Sequence, residues 1–117
     1  MVTIPLGNAF EMTQTVTRSS AAPIVLGAVA FGKPNERTRD HPLSTDAACE
    51  DLLRAFTNHG GTELDTARVY QNGNCEEVLG RIPTAKKIRI ATKYHPNLPG
   101  VPGEQLAQSL SALGQKS

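Results

Sequence analysis

Gly60-Gly61-Thr62-Glu63-Leu64-Asp65-Thr66-Ala67-Arg68-Val69-Tyr70 decides the fold when set beside Ile90-Ala91-Thr92-Lys93. Gly60 is the left-handed stop of a preceding helix. Thr62 to Thr66 then reads as a short strand. Side chains alternate along a strand, so Leu64 faces one way and Glu63 and Asp65 the other. Lys86 to Lys93 alternates too: Ile88 and Ile90 face one way, and Arg89, Ala91 and Lys93 the other. Helices must cover the apolar faces, and the opposite face then collects Glu63, Asp65, Arg89 and Lys93. An open doubly wound sheet needs apolar residues on both faces, whereas a barrel tolerates polar ones inside, near its top. Asp65 and Lys93 each end their strand, at the C-terminal rim where barrel enzymes keep their chemistry. As neighbours they can pair, which offsets the cost of burying either charge alone. With Tyr70 in the loop beyond, the rim holds an acid, a phenol and an amine. Such a set can deliver a proton to a carbonyl oxygen.

Working outward, Ile24 to Phe31 is a nearly continuous apolar run bounded by Pro23 and Gly32, which suits a strand buried on both faces. A polar loop, Gly32 to Pro42, follows. Ser44 to His59 reads as a helix that Ser44 or Thr45 can cap, with Ala48, Leu52 and Phe56 as its stripe, broadened by Cys49 and Leu53. Asn72-Gly73-Asn74 is a turn, with Asn74 a cap for a short helix from Cys75 to about Gly80. His95 to Gly103 is a Pro/Gly-rich loop. Pro102 to Leu113 is a third helix, with Leu106, Leu110 and Leu113 on one side and Gly114 as its stop. Residues 1–22 read as an N-terminal extension, with a short strand near Val2 to Leu6. The order strand, helix, strand, helix, strand, helix implies parallel strands with right-handed crossovers.

Composition removes several functions. The net charge of the 117 residues is +1, with Lys and Arg scattered, so the electrostatic footprint of a nucleic-acid binder is missing. Aromatic residues are 4% and Trp is absent, which argues against a base-stacking platform. No apolar run approaches the roughly 20 residues of a membrane span. Cys49 and Cys75 have no metal spacing and read as reduced thiols of an intracellular, cytoplasmic protein, Cys49 in the core and Cys75 at a helix start. No metal site is expected.

The run Gly61-Thr62-Glu63-Leu64-Asp65-Thr66-Ala67, followed by Tyr70 and Glu76-Glu77-Val78-Leu79-Gly80, resembles the aldo-keto reductases. The wording with Asn72-Gly73 and Glu76 is similar to the aflatoxin-aldehyde reductase branch. Leu26 to Gly32 resembles that family's first barrel strand, Ala91-Thr92-Lys93 its third, and Ser109 to Gly114 its third helix. The resemblance implies a (β/α)8 TIM barrel that binds NADPH and reduces small-molecule aldehydes and ketones. It makes Asp65, Tyr70 and Lys93 three members of an Asp, Tyr, Lys and His catalytic set, with Asp65 also beside the cofactor. It puts Glu76 near the cofactor's side of the barrel. The histidine belongs at the end of a fourth strand, beyond Ser117. His95 is most simply a loop residue, His59 a helix-end residue, and His41 a loop residue.

The fold expected is therefore α/β: the first three βα units of an incomplete barrel, an N-terminal fragment, with residues 23–117 forming a partial reductase domain. A complete barrel takes about 250 residues, roughly 200 at the low end. Three units leave two open sheet edges, which invite self-association. Alone, such a chain is expected to be marginally stable or self-associating, with weak or absent reductase activity. The alternative is a non-catalytic, truncated homologue that partners a full-length reductase.

Overall fold

A computed structural model describes residues 23–116. The extension over 1–22, with its strand near Val2 to Leu6, lies outside the described residues. The elements follow the expected alternation: β1 (Leu26–Gly27), α1 (Asp46–Asn58), β2 (Glu63–Asp65), a 3-10 turn (Tyr70–Gly73), α2 (Asn74–Arg81), a second 3-10 turn (Pro83–Lys87), β3 (Arg89–Ala91) and α3 (Pro102–Ala112). The strands form one parallel sheet in the order β1-β2-β3. Leu26, Leu64 and Ile90 stand in one row, and Gly27, Asp65 and Ala91 in the next.

Local chemistry sets the helix ends. Of the two candidate caps for α1 the chain uses Thr45, whose extended backbone lets its hydroxyl accept from Ala48 N at 3.2 Å. At the other end His59 Nδ1 lies 2.8 Å from Ala55 O, and Gly60 turns the chain at φ +93°. The bidentate Arg81–Asp46 pair, at 2.7 and 2.9 Å, ties α2 to the first turn of α1.

The core lies on one side of the sheet. Ala28, Phe31, Cys49, Leu53, Leu64, Cys75, Val78, Leu79, Ile82, Ala85 and Leu113 fill it. The N-cap of α2 is Gly73, with no side-chain cap bond, rather than Asn74, which lies inside the helix with its side chain turned to Lys33 N and Glu77. Three further expectations need correcting. The first strand is shorter than 24–31 and is not buried on both faces. Phe31 N bonds Ala28 O at 2.9 Å, so the chain turns and folds the Phe31 ring back into the core, while Val25 and Val29 stay exposed. The third strand begins at Arg89 rather than Lys86, because Thr84 is held by Glu50 of α1 through its hydroxyl (2.6 Å) and its N–H (3.2 Å), which coils 83–87 into a turn. The buried helix rows also differ from the apolar stripes. Cys49 and Leu53 are buried on α1 while Leu52 is exposed; Leu106, Leu110 and Leu113 do share one side of α3, but the buried row there is Gln105, Ser109 and Leu113, with Leu106 exposed.

Helices α2 and α3 approach so closely that a Cβ at Gly80 would collide with the backbone carbonyl of Ala112. Neither helix axis can yield without disturbing Leu79 or Leu113 in the core. Gly80→Ala is expected to cost about 1–3 kcal/mol as overpacking, read as a lowered urea midpoint with an unchanged slope. An unchanged midpoint would show that the two helices are not clamped together.

Candidate active site at the rim of the sheet

The hydrogen-bond ladder runs past the ends of the strands. Ala28 N bonds Asp65 O at 2.9 Å, Thr66 N bonds Ala91 O at 2.8 Å, and Arg68 N bonds Lys93 O at 3.2 Å. That continuation carries Asp65 and Lys93 to the same edge on the face the helices leave open. Lys93 Nζ donates to Asp65 Oδ2 at 2.5 Å and to Thr66 O at 2.8 Å. One step down the same face Arg89 lies 3.5 Å from Glu63. The four charges expected on one face are thus two ion pairs.

Tyr70 joins them from the loop. Its ring centroid lies 5.3 Å from Lys93 Nζ, within cation–π range. Desolvation alone would lower the lysine's pKa. The bond to Asp65 and the nearby Tyr70 outweigh it, and the ammonium is held above the ordinary lysine value. Lys93 is therefore charged at neutral pH. The Lys93 and Asp65 side chains remain 45% and 41% exposed, so solvent screens their attraction and the pair serves geometry more than stability.

The turn that presents Tyr70 is tied down from several sides. Tyr70 N bonds Ala67 O at 3.1 Å. Gln71 and Asn72, the next two residues, both have left-handed backbones, at φ 52° and 56°. Gln71 is buried; its amide donates to Val29 O at 3.0 Å and accepts from Thr38 Oγ1 at 3.1 Å. Asn74 Oδ1 accepts from Lys33 N at 2.7 Å.

Behind this rim lies a buried charge pair. Glu76 falls in the first turn of α2, as expected of a residue near a helix start, yet its side chain is wholly buried. Thr92 Oγ1 donates to Glu76 Oε1 at 2.7 Å. Arg68 Nη1 sits 2.6 Å from Glu76 Oε2, off the line of an aligned hydrogen bond, so this contact is one of charge. Through Thr92, α2 braces the residue immediately before Lys93.

His95 lies in the loop after Lys93, where its ring Nδ1 accepts from Asn97 N at 3.2 Å. Gln105, 1% exposed, organises that loop from inside. Its Oε1 accepts from His95 N at 2.9 Å. Its Nε2 donates to His95 O at 2.9 Å and Leu98 O at 3.2 Å, with Pro99 O and Gly100 O at 3.4 Å. The roles of Arg68, Gln71, Thr92 and Gln105 were not expected from the sequence. For Gln105 a signal existed, since it shares an i, i+4, i+8 row with Ser109 and Leu113.

Both thiols are buried. Cys75 Sγ contacts Ala28 O and Thr66 Oγ1, each at 3.1 Å. Burial pushes its pKa from 9.0 up to about 12, against the bond from Thr66. An unfolded thiol ionises near 9.0, so between 9.0 and about 12 the unfolded state binds fewer protons than the folded one. Stability should fall as pH rises through that window, and less steeply in Cys75→Ala. Urea midpoints measured across it check this; equal slopes for the two proteins would refute it. Among the described residues no group of three or more His, Cys, Asp or Glu could hold a metal ion, and no helix is long and apolar enough to cross a membrane.

Comparison with known proteins bears on what such a rim belongs to. The family profile described as "Aldo/keto reductase family" matches residues 23–116. Aflatoxin B1 aldehyde reductase member 4 of Homo sapiens is 37% identical over 90 residues, covering 73% of this chain and 24% of that protein. Aryl-alcohol dehydrogenase [NADP(+)] of Phanerodontia chrysosporium is 38% identical over 79 residues, covering 62% and 20%. The chain thus spans about a fifth to a quarter of these relatives. A solved thermostable aldo-keto reductase, in complex with the inhibitor epalrestat, superposes with a TM-score of 0.59 at 24% identity, over 90% of this chain and 39% of its own. An aldo-keto reductase from Bacillus halodurans, in its holo form, gives 0.55 at 18% identity, over 79% and 32%. These two establish a likeness of fold: three parallel βα units like those of the reductase barrel.

Proposed function

This chain belongs to the aldo/keto reductase family, and on that premise we propose that its rim residues are the proton-delivering part of an NADPH-dependent aldehyde and ketone reductase that works in the cytoplasm. The observation that carries this reading is the Lys93 ammonium, fixed by Asp65 and Thr66 O with the Tyr70 ring 5.3 Å away.

Tyr70 is the acid: its hydroxyl bonds the carbonyl oxygen of the substrate and gives up its proton as negative charge develops there. Lys93 remains cationic and stabilises the oxygen that Tyr70 leaves behind. Asp65 and Thr66 O take two of the ammonium's three donors, which orients the third. Bound NADPH supplies the hydride. The described residues fit its reactive end: Asp65 commits Oδ2 to Lys93 and still stands 41% exposed, free to accept a bond through its second oxygen. Asp65 is therefore the residue of this chain that would hold the cofactor.

The test is NADPH-dependent reduction of an aromatic aldehyde by the protein isolated from its native source. Tyr70→Phe is expected to lower kcat at least about 100-fold, because it removes the acid while keeping the ring. Undiminished turnover by that variant would sink the reading.

A second reading has its own observation. Ile88, Ile90, Leu106, Leu110 and Leu113, with Lys86, Thr92 and Gln115 among them, line a mixed groove between β3 and α3. That open edge suits a non-catalytic partner of a full-length relative, or self-association of this chain. Co-elution with a full-length reductase that survives Tyr70→Phe would favour partnership and its absence would exclude it; a monomer at all concentrations would exclude self-association.

A further inference from the structure

We propose that Gln71 is a positioning residue that sets the pose of Tyr70 against Lys93 by clamping the turn after Tyr70 to the loop between β1 and α1. The pose has functional meaning only if Tyr70 is the acid, so the proposal rests on the reductase reading; its geometry stands without it.

Two consecutive left-handed residues directly after Tyr70 need an external cause. Asn tolerates that conformation through its short polar side chain, but Gln has no such excuse. Strained backbone of this kind persists only where the surroundings over-determine it. The determinants here are visible. The Gln71 amide is buried and donates to Val29 O while accepting from Thr38 Oγ1, so both ends of one side chain are fixed by a loop more than 30 positions away. Thr38 is itself held: Asn35 N donates to Thr38 Oγ1 at 2.9 Å, and Thr38 N donates to Asn35 Oδ1 at 3.1 Å. The bond from Lys33 N to Asn74 Oδ1 pins the far end of the same turn. With the positions of 71 and 74 set, the direction in which residue 70 projects is set as well. Strain that a glycine would relieve is kept, and what glycine cannot supply is the amide.

The two roles of Gln71 separate in Gln71→Gly. That variant accepts φ > 0 without penalty, so the turn loses its strain along with its anchor. The readout is the upfield ring-current shift of the Lys93 Cε protons, measured by NMR in the purified chain carrying Tyr94→Leu. The sequence has two tyrosines, so Tyr70 is then the tyrosine left beside the lysine, and the Tyr70→Leu reference subtracts what the Phe and His rings contribute. Tyr70→Leu defines zero shift and Tyr70→Phe the full shift. Gln71→Gly is expected to lose more than half of the full shift while still unfolding cooperatively in urea, which shows that the shift is lost from a folded chain. A retained shift overturns the proposal, because the turn then holds its pose without the amide. If Gln71→Gly does not fold, Thr38→Val decides the question by removing one of the two anchors: a lost shift supports the clamp and a full shift refutes it. Activity of the native protein decides separately. If the shift disappears yet Tyr70→Phe still turns over aldehyde, the reductase reading fails and the clamp stands.

Discussion

Arg68→Met should destabilise the fold by about 3–5 kcal/mol, enough to unfold much of the population of a small domain. The reason is the asymmetry between burying a charge pair and burying one charge. Glu76 has no exposed surface, and Arg68, 14% exposed, is the cation beside it. Methionine keeps most of the volume of the arginine stem but leaves the carboxylate with the Thr92 hydroxyl alone. The double variant Arg68→Met, Glu76→Gln removes the orphaned charge and is expected to regain at least half of the loss. Urea unfolding of the parent, the single variant and the double variant completes the comparison. A single-variant loss below about 1 kcal/mol would mean that water or movement of α2 relieves the carboxylate, and that the pair is not a pillar of the rim.

Leu64→Ala is the second large effect, at about 2–5 kcal/mol. Leu64 is the central residue of the central strand, wholly buried, between Leu26 and Ile90 in the row that the core packs against. The core cluster it belongs to draws on α1 and α2, both held elsewhere by the Asp46–Arg81 and Glu50–Thr84 bonds, so the cavity cannot collapse cheaply. Because Glu63 and Asp65 flank it on the opposite face, the same substitution should also loosen the Asp65–Lys93 contact. The urea midpoint gives the first result. A fall in the titration midpoint of Lys93 toward that of an ordinary lysine gives the second, since the bond to Asp65 helps to hold it high.

Much of this was legible in the sequence because it depends on near neighbours. Strand alternation put Asp65 and Lys93 on one face, and a ladder of backbone bonds makes that placement unavoidable once β2 and β3 lie side by side. The Thr45 cap and the Gly60 and Gly114 stops, both at positive φ, were equally local. What sequence could not disclose came from afar. The late start of β3 reflects Glu50 reaching Thr84 from another helix, and the early end of β1 reflects the pull of the core on Phe31. The buried polar residues were hidden for a related reason. Gln71 and Glu76 look like surface residues until the carbonyl, hydroxyls and guanidinium beside them are in place, and for Gln105 the row it shares with Ser109 and Leu113 signals burial but not the loop carbonyls that satisfy it. Helix α3 shows this most plainly: Leu106 looks like the core residue, yet Gln105 is, because a loop needs its amide more than the sheet needs another leucine.

That amide also limits how the loop of this chain can be rebuilt. Four carbonyls, those of residues 95, 98, 99 and 100, curl around one nitrogen carried by the first turns of α3. Inserting or deleting a residue between His95 and Gly100 would move some of those oxygens out of reach and strand a buried donor. Loop and helix start therefore form one transplantable unit. An engineer who wishes to move or lengthen the loop must carry Gln105 along or replace it in the same step.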